Sequence, residues 1–263
     1  MDKKEIRRAN RKALPLFLLV LLAAMLVGGA GGYLAVRFRL DTLADGLKGA
    51  AAFFGTRIAP WLLAGIALVL PAVCVPLYRS AKKLLAAWDG EDEDAAGAID
   101  RKLSAAIWIL SAALVFSYFL IAAAYSGGFA LFDSRERTLA LFVAIAAFLA
   151  IMAEAVLLQQ KCVDAAKRTN PEKTASVYDM KFRKKWMEDC DEAEKILVGK
   201  CAYRAYCATN TVCTVLAIVL AVSALVFDIG FLPSLVVCLV WLVNLSVYCR
   251  EALRFSRAGT RIS

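Results

Sequence analysis

The sequence predicts an all-α fold, a polytopic bundle of six transmembrane helices whose N- and C-termini both lie in the cytosol. Three observations support this prediction. Of the 263 residues, 61% are hydrophobic and the mean hydropathy is +0.63, whereas an ordinary soluble domain is about 45–50% apolar. The apolar residues are gathered into long blocks, and the basic residues lie between the blocks, mostly in alternate connections. This composition excludes a soluble enzyme.

Each apolar block is long enough to cross a bilayer as a helix. A transmembrane helix needs about 20 predominantly apolar residues. Hydrophobicity within the blocks is continuous, and does not alternate as in a transmembrane barrel. The predicted spans are 13–36, 58–78, 104–125, 138–158, 207–227 and 232–249. With the cytosolic helical loops 79–103 and 159–206, they are expected to form a single integral membrane domain over residues 1–263.

The basic residues predict the orientation of the spans. All 32 Lys and Arg residues lie outside the six spans, and 26 of them fall in the two termini and the connections 79–103 and 159–206. Because short loops rich in Lys and Arg stay in the cytoplasm, we expect a multi-pass plasma-membrane protein with both termini inside. The net charge of +9 then serves orientation and attraction to the membrane surface, and nucleic-acid binding is not expected.

The first span carries a stripe of small residues. Ala24, Gly28 and Gly32 recur every four residues, which places them on one helix face and allows another helix to approach closely. Residues 28–32 could instead be the cleavage region of a signal peptide, but the apolar run exceeds the roughly 7–15 residues of a signal core. We therefore expect a retained span.

The second span contains Pro71 and Pro76 near its predicted cytosolic end. Each proline removes a backbone hydrogen-bond donor and favours a kink. Such a kink is either a gating hinge or an irregularity of helix packing, and packing is the commoner explanation.

The connection 79–103 is predicted to be helical on both sides of a turn at residues 89–90. Lys82 and Lys83 lie where anionic lipid headgroups are expected. The acidic run 91–94 lacks the ligand spacing and the central glycine of a calcium loop, so a solvated turn is favoured over a cation site.

The connection 159–206 predicts two helix starts. Asn170 followed by Pro171 fits either a turn or an N-cap with proline in the first turn. Ser176 and Asp179 fit a capping box, so a helix is predicted to begin at Ser176.

From that start, an amphipathic helix is predicted to run into the fifth span. Its apolar positions recur at steps of three and four residues, which is one helical face. They are Phe182, Trp186, Cys190, Ala193, Leu197 and Cys201. This face is a candidate docking surface for a protein partner, through Phe182, Trp186, Cys190 and Leu197. Alternatively, it lies on the membrane surface or against the connection 79–103.

The residue types that most enzyme and metal chemistry needs are missing or scattered. The chain has no histidine, which removes the commonest general base and the commonest zinc ligand. None of the eight cysteines forms a C-x-x-C pair, and in this topology every thiol is in a span or in the reducing cytosol. We therefore predict no catalytic residues, no cofactor and no metal, and cysteines that act as small apolar residues.

Two polar residues inside the spans are candidate functional residues. Glu154 lies about one turn from the cytosolic edge of the fourth span, and an acid in lipid is a functional hypothesis by default, for instance in proton or cation handling. Its shallow depth also permits snorkelling or pairing with Lys161. Asn244 in the sixth span is expected to make an interhelical hydrogen bond in preference to binding a substrate.

Several segments of the chain form a pattern together. They are residues 170–173, 176–179, 181–186 and 190–195, with 88–92 and the basic N-terminus before a glycine-bearing first span. This pattern resembles an uncharacterised family, a domain of unknown function, of integral membrane proteins from Gram-positive bacteria. The resemblance covers essentially the whole chain and implies six spans and a plasma-membrane location. It implies no catalytic or ligand-binding residues.

Two functions fit these predictions. The first is a non-enzymatic sensory, regulatory or accessory protein whose cytosolic helix docks a cytosolic or membrane protein, or a second copy of the chain. The second is a small transporter or permease subunit that uses Glu154 and the proline-kinked second span. A membrane-embedded enzyme ranks below both, because the necessary cluster of acids, histidines or cysteines is absent from the sequence.

Overall fold

The computed structural model describes residues 41–170, 172–173, 175–227 and 230–259, together with nine positions between 15 and 30. The regular secondary structure of these residues is entirely helical, as the sequence predicts. Ala24, Gly28 and Gly32 lie outside the described residues. The stripe of small residues in the first span therefore stays a prediction.

Seven α-helices are described beyond residue 40. They are α1 (Asp41–Phe53), α2 (Ala59–Ala87), α3 (Glu93–Ala124), α4 (Arg135–Thr169), α5 (Phe182–Glu188), α6 (Glu192–Phe227) and α7 (Leu232–Gly259). A π-helical turn, Phe54–Ile58, joins α1 to α2, and a 3₁₀ segment, Tyr125–Phe132, follows α3.

Five helices among the described residues are long and apolar enough to cross a membrane. Four of them are α3, α4, α6 and α7. The fifth is α2 taken together with the preceding residues from Asp45 onward. The second to sixth predicted spans each fall on one of these helices. Their length and composition indicate a multi-pass membrane protein.

The chain divides into two compact units, one of residues 48–197 and the other of residues 1–47 and 198–263. In the first unit, α2, α3 and α4 pack pairwise against one another as a bundle. Its core is built mainly of alanine and leucine, because small side chains let neighbouring helices approach closely. The buried residues include Leu63, Leu70, Leu110, Leu120, Ala144, Ala147 and Ile151.

A second apolar cluster lies where α2 ends, α3 begins and α4 ends. It contains Ala81, Ile99, Leu103, Ala106, Cys162 and Ala165. Close by, Lys102 Nζ of α3 donates to Ser80 Oγ of α2 at 2.6 Å. We call this the basic end of the bundle, because the Lys- and Arg-rich residues 79–103 and 159–191 belong to it.

At the opposite end, the π-helical turn packs against the end of α3. Gly55 is buried there, and a Cβ at this position would collide with the carbonyl of Ala123. Arg57 of the same turn pairs with Glu136 of α4, with 3.3 Å between nitrogen and oxygen. The close approach of two backbones therefore requires glycine at position 55.

The turn between α2 and α3 forms as predicted. Asp92 is the N-cap of α3, and its carboxylate accepts two backbone N–H groups of the first turn. Asp89 Oδ1 accepts the N–H groups of Glu91 and Asp92, and these bonds lower the pKa of Asp89. Gly90 has a φ of +95°, which glycine adopts without strain. Asp89 and Asp92 are thus engaged with the backbone, which favours the solvated turn over a cation site.

The prediction of one helix running from Ser176 into the fifth span is wrong. Residues 177–181 are turns and a bend, α5 begins only at Phe182, and residues 189–191 separate it from α6. Ser176 does not cap a helix, because α4 holds this part of the chain. Its Oγ donates to Gln160 Oε1 at 3.2 Å, and the Val177 N–H donates to the same oxygen at 2.8 Å.

The N-cap alternative for Asn170 is also wrong, and the turn alternative is confirmed. Asn170 is the C-cap of α4, and its Nδ2 donates to the carbonyl of Ala166 at 3.1 Å. The Lys173 N–H then donates to the carbonyl of Asn170 at 3.1 Å and closes a turn. Asn170 thus ends α4 and does not start a new helix.

The start of α6 has a local cause. The Glu194 N–H donates to Asp191 Oδ1 at 2.7 Å, and the Asp191 N–H donates to Glu194 Oε2 at 3.1 Å. This is a reciprocal capping box, with aspartate in the N-cap position. It stabilises a helix start at this point, and the apolar periodicity of residues 182–201 gives no sign of it.

In the second unit, α6 and α7 form a hairpin. Trp241 Nε1 of α7 donates to Asn210 Oδ1 of α6 at 3.0 Å. Tyr206 and Tyr248 stack with their ring centroids 4.4 Å apart. Between the helices, Gly230 has a φ of +70°.

Candidate functional site

A cavity of about 510 Å³ opens at the basic end of the bundle. Its walls come from α3, from α4, from residues 170–191, which we call the cover segment, and from the start of α6. The volume lies within the range of about 300–1,000 Å³ typical of ligand pockets.

The helical wall of the cavity combines apolar and polar side chains in equal number. Its apolar members are Leu103 and Ile107 of α3 and Val163 and Ala166 of α4. The two helices also carry a polar pair on the lining, in which Gln159 Nε2 donates to Ser111 Oγ at 3.1 Å. This wall can therefore hold an apolar group and offers it a few polar atoms.

The cover segment contributes two aromatic rings. Phe182 and Trp186 are four residues apart on α5, which places them on the same helix face. Their ring centroids are 5.6 Å apart, both side chains are half-buried, and both line the cavity. The aromatic wall is thus a direct consequence of the spacing in the sequence.

A buried lysine holds the cover segment in place. Lys173 is 3% exposed, and its ammonium group forms an ion pair with the carboxylate of Glu194. The same ammonium donates to Asp189 O and to Cys190 Sγ, at 3.3 Å each. It also lies 5.6 Å from the centre of the Trp186 ring, within reach of a cation–π interaction.

The charge of Lys173 is retained despite its burial. Removal from water would by itself lower the pKa of Lys173, but hydrogen bonds to Glu194 and Cys190 outweigh that effect and raise the pKa above its ordinary value. The lysine is therefore charged at neutral pH. Breaking a buried ion pair from one side costs about 3–5 kcal/mol, so this pair ties the cover segment firmly to α6.

The rim of the cavity carries charges with no such partner. Asp100 of α3 and Arg183 of α5 are exposed and line the cavity. Neither forms an ion pair with another described residue. The cavity thus combines a helical wall of mixed polarity, an aromatic wall, one neutralised ion pair, and a carboxylate and a guanidinium that are open to a ligand.

Two further contacts stabilise the cover segment. Gln160 of α4 is 9% exposed and holds the segment through its Oε1 atom, while its Nε2 donates to Asp164 Oδ1 at 2.7 Å. Asp179 and Lys185 form an ion pair within the segment, and the hydrogen bond from Lys185 lowers the pKa of Asp179. The described residues of the segment are thus held by contacts with α4 and with one another.

The structure brings three of the four predicted docking residues together. Phe182 and Trp186 line the cavity, and Cys190 is buried beside Lys173. Leu197 lies on α6 and is 62% exposed. The prediction of one continuous apolar face is therefore wrong, because the break at residues 189–191 separates Leu197 from the other three.

Cys190 also differs from the expected role of an apolar filler. Its Sγ accepts a hydrogen bond from Lys173 Nζ and donates to the carbonyl of Trp186 at 3.2 Å. All eight cysteines are free. The described residues contain no group of three or more acids or cysteines arranged to hold a metal ion.

Glu154 lies on α4 and is not among the residues that line the cavity. Its Oε2 atom is buried and has no hydrogen-bond partner among the described residues. Lys161, its predicted partner, lines a cleft between α2 and α4 instead. A role for Glu154 in proton or cation handling therefore stays a prediction.

Asn244 lies beside the stacked tyrosines of the hairpin and lines a space of about 390 Å³ there. Its Nδ2 is buried and has no hydrogen-bond partner among the described residues. The interhelical hydrogen bond predicted for Asn244 joins Asn210 and Trp241 instead. The prediction named the right kind of contact but the wrong residue. Which side chains of α6 and α7 face each other depends on the rotation of each helix about its own axis, and the sequence does not specify that rotation.

Sequence reasoning missed Lys173, Glu194 and Asp100. Lys173 and Asp100 look like ordinary solvated charges in the sequence, and only tertiary packing brings them to one cavity. Glu194 did have a local signal, since Asp191 and Glu194 have the spacing of a capping box.

Residues 10–252 match the family described as "Protein of unknown function (DUF3169)", and the chain belongs to that family. The expected membership of an uncharacterised family is thereby confirmed. No curated protein and no solved structure matches the chain. The family name carries no activity, so function has to be inferred from the site.

Proposed function

We propose that this DUF3169 protein is a non-enzymatic sensory, regulatory or accessory protein of the plasma membrane, and that it docks a partner protein in the cavity under its cover segment. The observation that carries the proposal is the cavity itself, with apolar side chains on α3 and α4, two aromatic side chains and an unpaired carboxylate at its rim. Aromatic side chains set in a well-packed recess are the usual centres of protein–protein binding energy.

The lining defines the chemistry of the partner. Ile107 and Trp186 both line the cavity, so an apolar side chain bound there would remove apolar surface from water. A basic residue next to it would pair with Asp100, which has no ionic partner among the described residues. Arg183 on the same rim would in turn pair with an acidic residue, so the partner is a protein segment in which a large apolar residue stands near both a basic and an acidic residue.

Docking from the cytosol requires the basic end to face inward, as the distribution of Lys and Arg favours. The orientation can be measured with a membrane-impermeant maleimide in a variant that lacks the native cysteines. Met180→Cys, at a fully exposed position of the cover segment, should react only after the cells are permeabilised. Phe129→Cys, at a 92% exposed position after α3, should react in intact cells. The reverse pattern would rule out a cytosolic partner.

The docking proposal is tested by photo-crosslinking in intact cells. A photoreactive amino acid at Phe182 should capture one defined partner protein, whereas the same group at the exposed Leu197 should not. Ser104→Phe, which fills the cavity from α3, should abolish the product at position 182. A crosslink only to lipid or to a second copy of the chain, or equal products at both positions, would contradict docking of a separate partner in the cavity.

A second candidate function is a small transporter or permease subunit. The observation that favours it is the buried Oε2 atom of Glu154, which has no hydrogen-bond partner among the described residues, because an acid in a spanning helix often handles ions or protons. Pro71 and Pro76 lie within α2 of the same bundle. Purified protein in liposomes should then show a proton or cation flux that Glu154→Gln removes, and flux equal to that of empty liposomes would exclude this function.

A further inference from the structure

A second recess at the basic end lies between α2 and α4 and encloses about 110 Å³. Tyr78, Lys82 and Leu85 form the α2 wall at steps of four and three residues, which is one helix face. The α4 wall is likewise one face, and consists of Lys161, Asp164, Ala165 and Arg168. We call this recess the basic cleft.

The basic cleft and the cavity use different faces of α4. The α4 residues that line the cavity include Gln159, Val163 and Ala166, whereas the cleft begins at Lys161. A step of two residues along an α-helix turns the side chain by about 200°. The two recesses are therefore separate sites on one helix.

Three cations of the basic cleft have no anionic partner. Lys82, Lys161 and Arg168 are exposed, and none of them forms an ion pair with another described residue. The one acid of the cleft, Asp164, is already engaged, since it accepts from Gln160 Nε2 at 2.7 Å and lies 3.6 Å from Lys167 Nζ. Like charges held in one recess repel one another and are stabilised by a bound anion.

The position of the cleft along the helices favours a lipid as the source of that anion. Tyr78 is the last residue of a predicted span, and Lys161 follows the end of another by three residues. The part of the cleft nearest the span ends, with Tyr78, Lys82 and Lys161, therefore lies at the depth of the headgroups, where an aromatic ring and basic side chains are expected, and Leu85 and Arg168 lie farther along the two helices. Tyr78 and Leu85 also give the cleft apolar surface beside its charges.

We propose that the basic cleft binds the phosphate headgroup of an anionic phospholipid from the adjacent leaflet. Lys82 on α2 and Lys161 and Arg168 on α4 would hold the phosphate from two sides, and the acyl chains would run along the apolar surface of α2 and α4. A pocket of basic residues between spanning helices is the arrangement that recognises such headgroups. The lipid would in turn fix the basic ends of these two helices relative to each other.

The test is native mass spectrometry of the full chain in detergent, titrated with phosphatidylglycerol or phosphatidylcholine. One phosphatidylglycerol should bind in preference to phosphatidylcholine. The variant Lys82→Gln/Lys161→Gln/Arg168→Gln should bind it roughly 100-fold more weakly, since each basic residue near a headgroup contributes about fivefold. Inorganic phosphate should compete only at far higher concentration than the lipid.

A matched control removes the same charges elsewhere. The variant Lys181→Gln/Lys200→Gln/Arg101→Gln changes two lysines and one arginine at exposed positions that do not line the cleft, and should bind like the wild type. The charge-retaining variant Lys82→Arg/Lys161→Arg/Arg168→Lys should bind within about threefold of the wild type, which separates loss of charge from loss of folding. Equal affinity of the cleft variant and the control variant, equal binding of both lipids, or phosphate binding as tightly as phosphatidylglycerol would overturn the proposal.

Discussion

The cavity and the basic cleft lie at the same end of one bundle, but their charges are satisfied in opposite ways. In the cavity, the buried cation Lys173 is paired with Glu194 and has two further hydrogen-bond acceptors. In the cleft, three exposed cations face the same recess and have no ionic partner among the described residues. The cavity therefore holds a cation that is paired within the protein, and the cleft holds cations that are not.

A buried charge depends on its partner, because removing that partner destabilises the fold, whereas a charge that is left unpaired on a recess is available to a ligand. Lys173 ties the cover segment to Glu194 at the start of α6, and Asp100 at the rim forms no ion pair with a described residue. No ion pair with a described residue neutralises the cations of the basic cleft. Substitutions of Lys173 or Glu194 should therefore change local stability, and substitutions of the cleft cations should change binding alone.

The largest effect is expected from Glu194→Gln, because it leaves the buried Lys173 without an anion. The cover segment should open more readily by about 3 kcal/mol, and labelling of the buried Cys190 should accelerate by roughly 100-fold. Lys173→Met should have a smaller effect, since the carboxylate it strands is partly exposed. Maleimide labelling followed for each cysteine by mass spectrometry gives both values.

The control for that substitution is Glu188→Gln. Its ion pair with Lys184 is exposed on both sides, at 3.7 Å, and such pairs contribute about 0–1 kcal/mol. The double variant Lys173→Met/Glu194→Gln should label more slowly than Glu194→Gln alone, because no buried charge remains. Equal labelling rates in Glu194→Gln and Glu188→Gln would mean that Lys173 does not hold the segment.

Gln160→Leu should have a smaller effect, and should lower the free energy of opening the cover segment by about 1–3 kcal/mol. This change removes the oxygen that accepts from Ser176 Oγ and the Val177 N–H, and it leaves both donors without that partner. Hydrogen exchange should rise at residues 176–178 and not in the centre of α4. Gln159→Leu, one position earlier, breaks only a contact with Ser111 and should leave the exchange of residues 176–178 unchanged.

The pH dependence of the cover segment should follow Lys173. Because the folded pKa of Lys173 is raised, its stabilising contribution is fully present below the ordinary lysine pKa of about 10.4 and is lost as the pH rises through the folded value. A ¹⁹F resonance of fluorotryptophan at Trp186, assigned with Trp186→Phe, should stay constant between about pH 7 and 9 and move only above the ordinary lysine value. A shift within that neutral range, or the same high-pH shift in Lys173→Met, would contradict this assignment.

The smallest effect on stability is expected in the basic cleft. Lys161→Gln should change the free energy of unfolding by less than about 0.5 kcal/mol, as is usual for exposed positions. Thermal unfolding in detergent without lipid gives the value. A loss of several kcal/mol would show that Lys161 is a structural residue, and the contrast between the two recesses would fail.

Most of the helical architecture could be predicted, because apolar length is a local property of the sequence. The last five predicted spans fall on long apolar helices, while the details of residues 170–191 do not follow from periodicity. The even spacing from Phe182 to Leu197 suggests one helix, yet a capping box at Asp191 starts a new one. The burial of Lys173 could not be predicted from the sequence. It depends on Glu194, which the break between α5 and α6 places next to Lys173.

The central claim, that the cavity docks a partner protein, is tested most directly by affinity. The partner segment identified by crosslinking should be titrated against the purified full chain and against two phenylalanine variants of adjacent residues. Ser104→Phe fills the cavity and should weaken binding by at least about tenfold, or ~1.4 kcal/mol. Ala105→Phe, at an exposed position that does not line the cavity, should leave the affinity within about twofold of the wild type. Equal affinity of all three proteins would contradict the claim.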